Sequence, residues 1–241
     1  MPEARVLGVL GGMGPLASAH FMLRLTLLTP AEHDQDHVPA VLWSDPRVPS
    51  RTRGKGGPED PLPWLNRGIA GLREAGCGAV AIPCNTAHGW YPEMAAEAGL
   101  PILHIVSATV ADLRRAGVAP GPIGLMGTAA TLAMRLYQDR LEAEGWACLT
   151  PTPAEMDRLV APAIALVKAN RPGEAWAPFA EAAGTLRARG AGALVLGCTE
   201  LPLALAAGPA GTLGMTAVDS IDALARAAIA WARGDDAAPA H

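Results

Sequence analysis

Short apolar runs bounded by glycine or proline alternate along the chain with longer segments in which apolar residues recur every three or four positions. The short runs are typical of buried strands, and the periodic segments are typical of amphipathic helices. The pattern predicts six strands, at residues 6–10, 38–43, 79–82, 102–106, 123–126 and 193–196. Because strands that alternate with helices form parallel βαβ units, we expect an α/β fold with central, mainly parallel sheets.

Two of the predicted helices have clear boundaries. The first carries its apolar residues on one face and is expected to end at Gly76. Those apolar residues are Leu62, Leu65, Ile69 and Leu72. The second begins with a capping box from Thr152 to Glu155, with Pro153 in the first helical position. Because proline removes a backbone donor, Pro162 is expected to kink or interrupt this helix.

An internal repeat gives the best evidence on architecture. Residues 72–84 (LREAGCGAVAIPC) align without a gap with residues 186–198 (LRARGAGALVLGC), with six identities in thirteen positions. This alignment places Cys84 on Cys198. A weaker match at an offset of 116 pairs Gly8, Gly11, Leu16 and Ala17 with Gly124, Gly127, Leu132 and Ala133.

The repeat predicts two pseudo-symmetric α/β domains, each presenting one cysteine where a strand meets a helix. We expect residues 1–106 and 212–241 to form the half that carries Cys84. Residues 107–211 are expected to form the half that carries Cys198. A cleft between the two domains is the expected position of the active site.

Composition and charge narrow the class of partner. The 241 residues carry a formal net charge of −4 without a run of like charge, which argues against a nucleic-acid surface or a polybasic membrane anchor. No apolar run approaches the roughly 18 residues of a membrane span. Ala17-Ser18-Ala19 imitates a signal-peptidase site, but Pro15 and several glycines interrupt the apolar stretch before it. We expect a cytoplasmic protein that binds a small molecule, with no nucleic-acid or membrane partner.

Two cysteines are the main candidates for chemistry. Cys84 (in PCNTAH) and Cys198 (in GCTELP) each end an apolar strand and precede a turn and a predicted helix. A helix N-terminus lowers the pKa of a thiol, so each position could supply a thiolate. Asn85, Thr86 and Thr199, together with nearby backbone N–H groups, could hold a carboxylate.

Other interpretations of the cysteines remain open at this point. Free cysteines are often buried structural residues, and we expect that role for Cys77 and Cys148, which lack a comparable turn. Cys84, His88 and Cys198 could instead bind zinc, although a fourth ligand is not obvious. We favour His88 as a helix residue that polarises the site.

A glycine-rich loop raises a second class of function. Residues 12–17 satisfy the G-x-G-x-x-A pattern of dinucleotide-binding enzymes, which makes a nicotinamide-dependent oxidoreductase an alternative. The acid that should end the second strand is missing, since Glu32, Asp34 and Asp36 lie in a polar loop before that strand. We therefore favour a loop whose backbone approaches a small anionic substrate.

Two cations are candidates for binding that anion. Arg51 offers a fork for a carboxylate, and Lys168 offers a point charge. Each also has a plain structural interpretation. Arg51 could be a solvated loop arginine, and Lys168 could simply favour a helix C-terminus.

Six motifs, in this order, resemble the aspartate/glutamate racemase family over nearly the whole chain. They are VLGVLGGMGP, TPAEHDQDHVP, DPRVPSRT, IPCNTAH, MGTAAT followed by Tyr137, and LGCTELPL. The resemblance implies a cofactor-independent amino-acid racemase with two pseudo-symmetric α/β domains and a substrate between them. It also implies that the protein needs neither pyridoxal phosphate nor a metal and forms a homodimer.

Four positions bear on the branch of the family. Gly11 and Glu200 stand where the glutamate racemase branch carries an acid and a histidine, which favours the aspartate racemase branch. Asp45 and Ala130 replace an asparagine and a glycine that are common in aspartate racemases. Aspartate, glutamate and a broader range of substrates therefore stay open.

The resemblance also implies roles for individual residues. Cys84 and Cys198 match the catalytic pair, in which one thiolate removes the α-proton and the other thiol protonates the opposite face. The positions that match substrate-binding residues are Met13, Gly14, Arg51, Asn85, Thr86, Thr128, Lys168 and Thr199. A noncatalytic amino-acid binding protein that kept this cradle is a third possible class.

Overall fold

The computed structural model describes residues 5–51, 55, 59–210 and 213–235. Within these residues the strands are β1 (Leu7–Gly11), β2 (Ala40–Ser44), β3 (Ala79–Ala81), β4 (Ile102–Leu103), β5 (Gly121–Gly127), β6 (Trp146–Leu149), β7 (Ala193–Gly197) and β8 (Thr216–Asp219). The α-helices are α1 (Pro15–Leu28), α2 (Leu62–Glu74), α3 (Tyr91–Glu97), α4 (Ile105–Arg115), α5 (Ala129–Ala133), α6 (Gln138–Ala143), α7 (Pro153–Glu155), α8 (Ala161–Lys168), α9 (Pro172–Ala188), α10 (Leu201–Ala206) and α11 (Ser220–Arg233).

The strands form two four-stranded sheets in which every pair of neighbours is parallel. The first sheet has the order β2-β1-β3-β4 and the second has the order β6-β5-β7-β8. Each strand of the first sheet thus has a counterpart at the same place in the second. The predicted α/β class, with two halves of like architecture, is confirmed.

Backbone contacts divide the chain into two units. The first comprises Met1–Ala108 with Ile221–His241, and the second comprises Thr109–Ser220. The boundary predicted between residues 211 and 212 lies outside the described residues. Residues 216–219, which the sequence prediction assigned to the first half, form β8 and pair with β7 in the second sheet.

In the first unit, α2 packs against β1 through the predicted apolar face. Leu65, Ile69 and Leu72 are buried, as expected. The approach is close because Gly8 lacks a side chain: a Cβ there would lie 3.1 Å from the Leu72 side chain. Gly76 follows the helix with a φ of +83°, which is the conformation of a glycine C-cap.

The second unit repeats this packing between α9 and β5. A Cβ at Gly124 would lie 3.2 Å from the side chain of Leu186, the repeat counterpart of Leu72. Gly190, the counterpart of Gly76, has a φ of +98° after α9. The repeat in the sequence therefore has a physical basis, because small residues at the same strand positions let a helix approach each sheet.

The capping box at the start of α7 is present, with reciprocal hydrogen bonds between Thr152 and Glu155. The helical segment is then interrupted, as predicted, by a π-helix over Met156–Val160. Pro162 lies in the first turn of α8, where a missing backbone donor costs little.

The strand prediction failed mainly at the edges of the sheets. β4 is limited to two residues, since α4 begins at Ile105. The sequence prediction missed β6 and β8, which are the edge strands of the second sheet. Both are short and partly exposed: β8 has only two apolar residues between Thr216 and Asp219, and the apolar run of β6 is only four residues long. Among the described residues no helix is both long and apolar enough to cross a membrane.

Candidate active site

Both candidate cysteines lie at the carboxyl edge of the sheet in their own unit. Cys84 follows β3 and Cys198 directly follows β7, and these strands occupy equivalent places in the two sheets. Ligands of open parallel sheets bind at this edge. Both residues are almost completely buried, with exposed fractions of 5% for Cys84 and 4% for Cys198.

The glycine-rich loop after β1 is fixed by backbone contacts. Gly12 has a φ of +90°, and a Cβ there would lie 2.4 Å from the carbonyl carbon of Asp45. The Ser18 hydroxyl accepts a hydrogen bond from the Gly12 N–H and donates one to the Gly14 carbonyl, both at 2.9 Å. The adjacent Met13 side chain is buried in the same apolar cluster as Cys84.

Asp45 has a structural role in the loop after β2. Its carboxylate accepts hydrogen bonds from the backbone and the guanidinium of Arg47, at 2.9–3.0 Å, and forms a longer ion pair with Arg67. The hydrogen bonds from Arg47 lower the pKa of this carboxyl to about 2. The ionised carboxylate of Asp45 thus holds the loop together through Arg47 and Arg67.

Arg51 has a donor available for an anion. Its Nη1 donates to the carbonyls of Val48 and Pro49 at 3.0 and 2.8 Å. Its Nε is buried and has no hydrogen-bond partner among the described residues. Backbone carbonyls thus orient the guanidinium and leave its charge for a ligand.

The turn after Cys84 is anchored by His88. Its ring Nδ1 lies 3.0 Å from the Cys84 carbonyl oxygen, and its Nε2 lies 3.2 Å from the Ile105 backbone nitrogen as an acceptor. Burial lowers the pKa of His88 to about 4. The imidazole is therefore neutral near pH 7 and orients backbone rather than polarising the site with a charge. It lies in a 3-10 helix, Thr86–Trp90, in which Thr86 is buried.

A zinc site at Cys84, His88 and Cys198 would need a cluster of metal-ligating side chains. Within the described part of the chain, no group of three or more His, Cys, Asp or Glu residues is placed to hold a metal ion. Asn85 is buried beside Cys84, in the position before the 3-10 helix.

In the second unit, Cys198 contacts a carboxylate. Its Sγ donates to Glu200 Oε2 at 3.0 Å, and the Thr199 hydroxyl donates to the same oxygen at 3.3 Å. The expected lowering of the thiol pKa is wrong for this residue. Burial, followed by the charge of Glu200, raises the pKa of Cys198 well above its usual range. The six-residue α10 that follows does not offset these two effects.

Thr128, Lys168 and Tyr137 are three other residues of the second unit that bear on the end of β7 or on Cys198. Thr128 directly follows β5 and caps α5, accepting a hydrogen bond from the Thr131 N–H at 3.1 Å. Lys168 is exposed at the end of α8, and its charge acts on Cys198 in the direction that lowers the thiol pKa. The ring of Tyr137 packs beneath the strand end, 3.2 Å from where a Gly197 Cβ would lie.

The remaining cysteines do not share this setting. Cys77 lies between α2 and β3, and burial raises the pKa of its thiol. Cys148 lies inside β6, where burial raises its pKa to about 11. Both thiols are poor candidates for a nucleophile or a base near neutral pH.

The sequence profile of the Asp/Glu/Hydantoin racemase family matches residues 10–228. The chain belongs to this family. Among solved structures, aspartate racemase from Picrophilus torridus is 31% identical with a TM-score of 0.83, over 95% of this chain and 94% of that one. An aspartate racemase homologue from Pyrococcus horikoshii OT3 shares the fold, with 21% identity and a TM-score of 0.75 over 95% of this chain and 99% of its own.

A curated relative matches over a shorter span. A broad specificity amino-acid racemase from Bacillus subtilis (strain 168) is 28% identical over 147 residues, which cover 58% of this chain and 62% of that protein. Membership of this family favours a racemase over the other two classes considered from the sequence, a nicotinamide-dependent oxidoreductase and a noncatalytic amino-acid binding protein.

Proposed function

We propose that the protein is a cofactor-independent racemase that interconverts L- and D-aspartate. The observation that carries the proposal is the placement of Cys84 and Cys198. Both are buried thiols that follow corresponding strands of two sheets with the same strand order, in a chain of the racemase family. Two acid–base groups, one for each face, suit inversion at a carbon, since a proton leaves one face and another arrives at the opposite face.

In the proposed reaction, one cysteine acts as thiolate and takes the α-proton, while the C–H electron pair stays on the substrate. The other cysteine, as thiol, gives its proton to the opposite face of the α-carbon. The two cysteines of the chain thus carry out both proton transfers. Reversal of the two protonation states catalyses the inversion in the other direction.

The weak acidity of the α-carbon is the main energetic obstacle. A thiol with an ordinary pKa of about 8.5 is a weak base for such a carbon. Preorganised donors to the developing charge can each contribute about 3 kcal/mol, and exclusion of water strengthens them. Arg51 supports this role because its buried Nε has no partner in the described part of the chain.

The other proposed substrate contacts come from loops at the carboxyl ends of the strands and from the end of α8. They are Met13, Gly14, Asn85, Thr86, Thr128, Lys168 and Thr199. Lys168 supplies the second cation for a dicarboxylate. Aspartate is the proposed substrate because the Picrophilus torridus relative is an aspartate racemase. Glutamate and a wider range are the alternatives, the latter supported by the Bacillus subtilis relative.

We further propose a homodimer in the cytoplasm. The edge strand β2 exposes Val41, Leu42 and Trp43, and α1 exposes Leu23 and Leu27. An exposed apolar edge of a sheet is a common surface for self-association. Light scattering that gives the mass of a 24.8 kDa monomer at working concentration would contradict this part of the proposal.

Polarimetry tests the reaction. Purified protein with no added cofactor should abolish the optical rotation of L-aspartate and of D-aspartate, with the glutamate enantiomers run in parallel. Cys84→Ala and Cys198→Ala should each remove this activity, and Cys148→Ala is the matched control that should retain it. Full activity in either of the first two variants would contradict the proposal.

A further inference from the structure

The two candidate cysteines have different neighbours. The Cys198 thiol donates directly to the Glu200 carboxylate, with 3.0 Å between Sγ and Oε2. His88 instead contacts the Cys84 carbonyl through a neutral ring. In the described residues no carboxylate hydrogen-bonds to the Cys84 sulfur. The two halves are thus alike in topology and different in the charge beside each sulfur.

The negative charge of Glu200 acts on Cys198 without a local counter-ion. Glu200 is only 4% exposed, and its second oxygen, Oε1, is buried without a partner among the described residues. No cation of the described chain forms an ion pair with it. Loss of the Cys198 proton would place two buried anions in contact, which is costly in a medium that screens charge poorly.

Other charged and titratable groups that face Cys198 come from neighbouring elements. Lys168, at the end of α8, acts in the opposite sense to Glu200 and has the smallest effect of the groups identified. Tyr137 is buried, and burial raises the pKa of its phenol, so the ring adds no charge. The carboxylate in direct contact with the sulfur therefore dominates.

We propose that Glu200 keeps Cys198 in the thiol form in the resting protein, which makes Cys84 the thiolate that acts first. The inference rests on the proposed two-cysteine reaction and adds an order to it. Glu200 is a positioning residue, because it acts through the Cys198 sulfur. The sulfur of Cys84 takes the α-proton, the α-carbon takes the Cys198 proton, and exchange with solvent returns both sulfurs to their starting forms.

Steady-state rates cannot reveal this order. Enantiomers have equal free energies in water, so kcat/KM must be equal in the two directions whichever thiol is ionised at rest. The protonation states therefore have to be read from the sulfurs themselves. A measurement without substrate also separates this proposal from the racemase proposal.

NMR of protein labelled with 13C at the cysteine Cβ reads the four thiols directly, because the Cβ shift changes when the sulfur ionises. Single Cys→Ser variants at positions 77, 84, 148 and 198 assign the signals. We expect Cys84 to show the thiolate shift at a pH at which Cys198 still shows the thiol shift. The reverse order in the unmodified protein would overturn the proposal.

Glu200→Gln tests whether the charge of Glu200 is what keeps Cys198 protonated. The amide keeps the shape and an acceptor but removes the charge, so the Cys198 titration should move to lower pH by about one unit or more. The Cys84 signal should not move. Glu142→Gln is the matched control, because Glu142 acts on Cys148 and should shift only that signal. An unmoved Cys198 signal in Glu200→Gln would overturn the proposal.

The measurements already described decide the proposal even when one of them fails. If Glu200→Gln does not fold, the order of titration in the unmodified protein still decides. If polarimetry finds no racemisation while Cys198 titrates above Cys84, the role of Glu200 stands and the proposed reaction fails. If racemisation is found with the reverse order, the reaction stands and the role of Glu200 fails.

Discussion

At the level of single residues, the buried imidazole of His88 ties the turn that carries Cys84 to the start of α4. The ring bridges the Cys84 carbonyl and the Ile105 backbone nitrogen. Both contacts suit a neutral ring in which one nitrogen donates and the other accepts. Protonation would turn the accepting nitrogen into a second donor facing an N–H group.

His88 should therefore make the protein sensitive to acid. In the unfolded chain it takes up a proton near pH 6.5, whereas in the folded protein its pKa is about 4. Its contribution to stability is complete above pH 6.5 and is lost as the pH falls towards 4, by about 3 kcal/mol. Urea unfolding of His88→Asn between pH 7 and 4.5 should show a weaker loss of stability than the unmodified protein.

The control for this measurement is His33→Asn, because His33 is exposed and asparagine can keep its place before the 3-10 helix at Asp34–Asp36. Its pH dependence should match that of the unmodified protein. An equal loss of stability in His88→Asn and the unmodified protein would show that the imidazole is not the group responsible.

For the two candidate cysteines, the sequence predicted the position in the fold correctly but did not predict the effect of the surroundings on the thiol pKa. The spacing of PCNTAH and GCTELP placed each thiol at the end of a strand, as the structure does. The ionisation of Cys198 was predicted in the wrong direction. It depends on burial and on the rotamer that brings Glu200 Oε2 to the sulfur, and neither follows from spacing. An acid two residues after a candidate cysteine was the available signal.

At the level of secondary-structure elements, close approaches between loops and helices depend on glycine. The loop after β1 passes over the loop after β2 at Gly12, where a Cβ would lie 2.4–2.5 Å from backbone atoms of Asp45. Backbone atoms cannot move aside as a flexible side chain can. The glycine-rich motif that suggested a dinucleotide site therefore has a packing requirement of its own.

Gly12→Ala should lower the free energy of unfolding by about 3 kcal/mol or more, through both the positive φ and the backbone clash. Gly117→Ala is the matched control. Gly117 has a φ of +67° with open space around its Cα, so alanine there should cost only about 1 kcal/mol. The free energy of unfolding of both variants is measured with urea. Equal losses in the two variants would show that the backbone clash at Gly12 does not contribute.

The sequence pattern did not predict the edge strand β8, although the internal repeat indicates its position. β4 begins at Ile102, and the repeat offset of 114 leads from there to Thr216, where β8 begins. Periodicity alone could not find β8, since an edge strand of four partly exposed residues lacks an apolar run. The central strands β1, β3, β5 and β7 were predicted because burial on both faces requires apolar residues throughout.

At the level of the whole molecule, two units with the same strand order each supply one buried cysteine. The sequence repeat predicted this duplication, and the division into units falls close to the predicted first boundary, at residue 108 rather than 106. Pairing of β8 with β7 keeps residues 216–219 in the second unit. The assignment of residues 216–219 to the second unit depends on which strand they hydrogen-bond to, and the sequence alone does not show that partner.

Duplication followed by divergence fits the chemistry proposed for the two halves. In the proposed reaction an acid and a base act on opposite faces of the carbon, and the duplication gives each unit one cysteine for this role. The proposed difference in resting protonation state comes from Glu200, whose carboxylate contacts the Cys198 sulfur, whereas His88 contacts the backbone carbonyl of Cys84.

The most direct test of the two-base reaction is to stop the reaction of L-aspartate in D2O within the first few per cent of conversion, separate the two enantiomers by chiral chromatography, and measure the α-deuterium of each by mass spectrometry. Because each sulfur serves one face, the D-aspartate formed should carry deuterium at the α-carbon while the remaining L-aspartate keeps its proton. Deuterium appearing equally in both enantiomers would indicate a single base that serves both faces. No exchange and no D-aspartate, with glutamate enantiomers also inert, would contradict the proposed racemase.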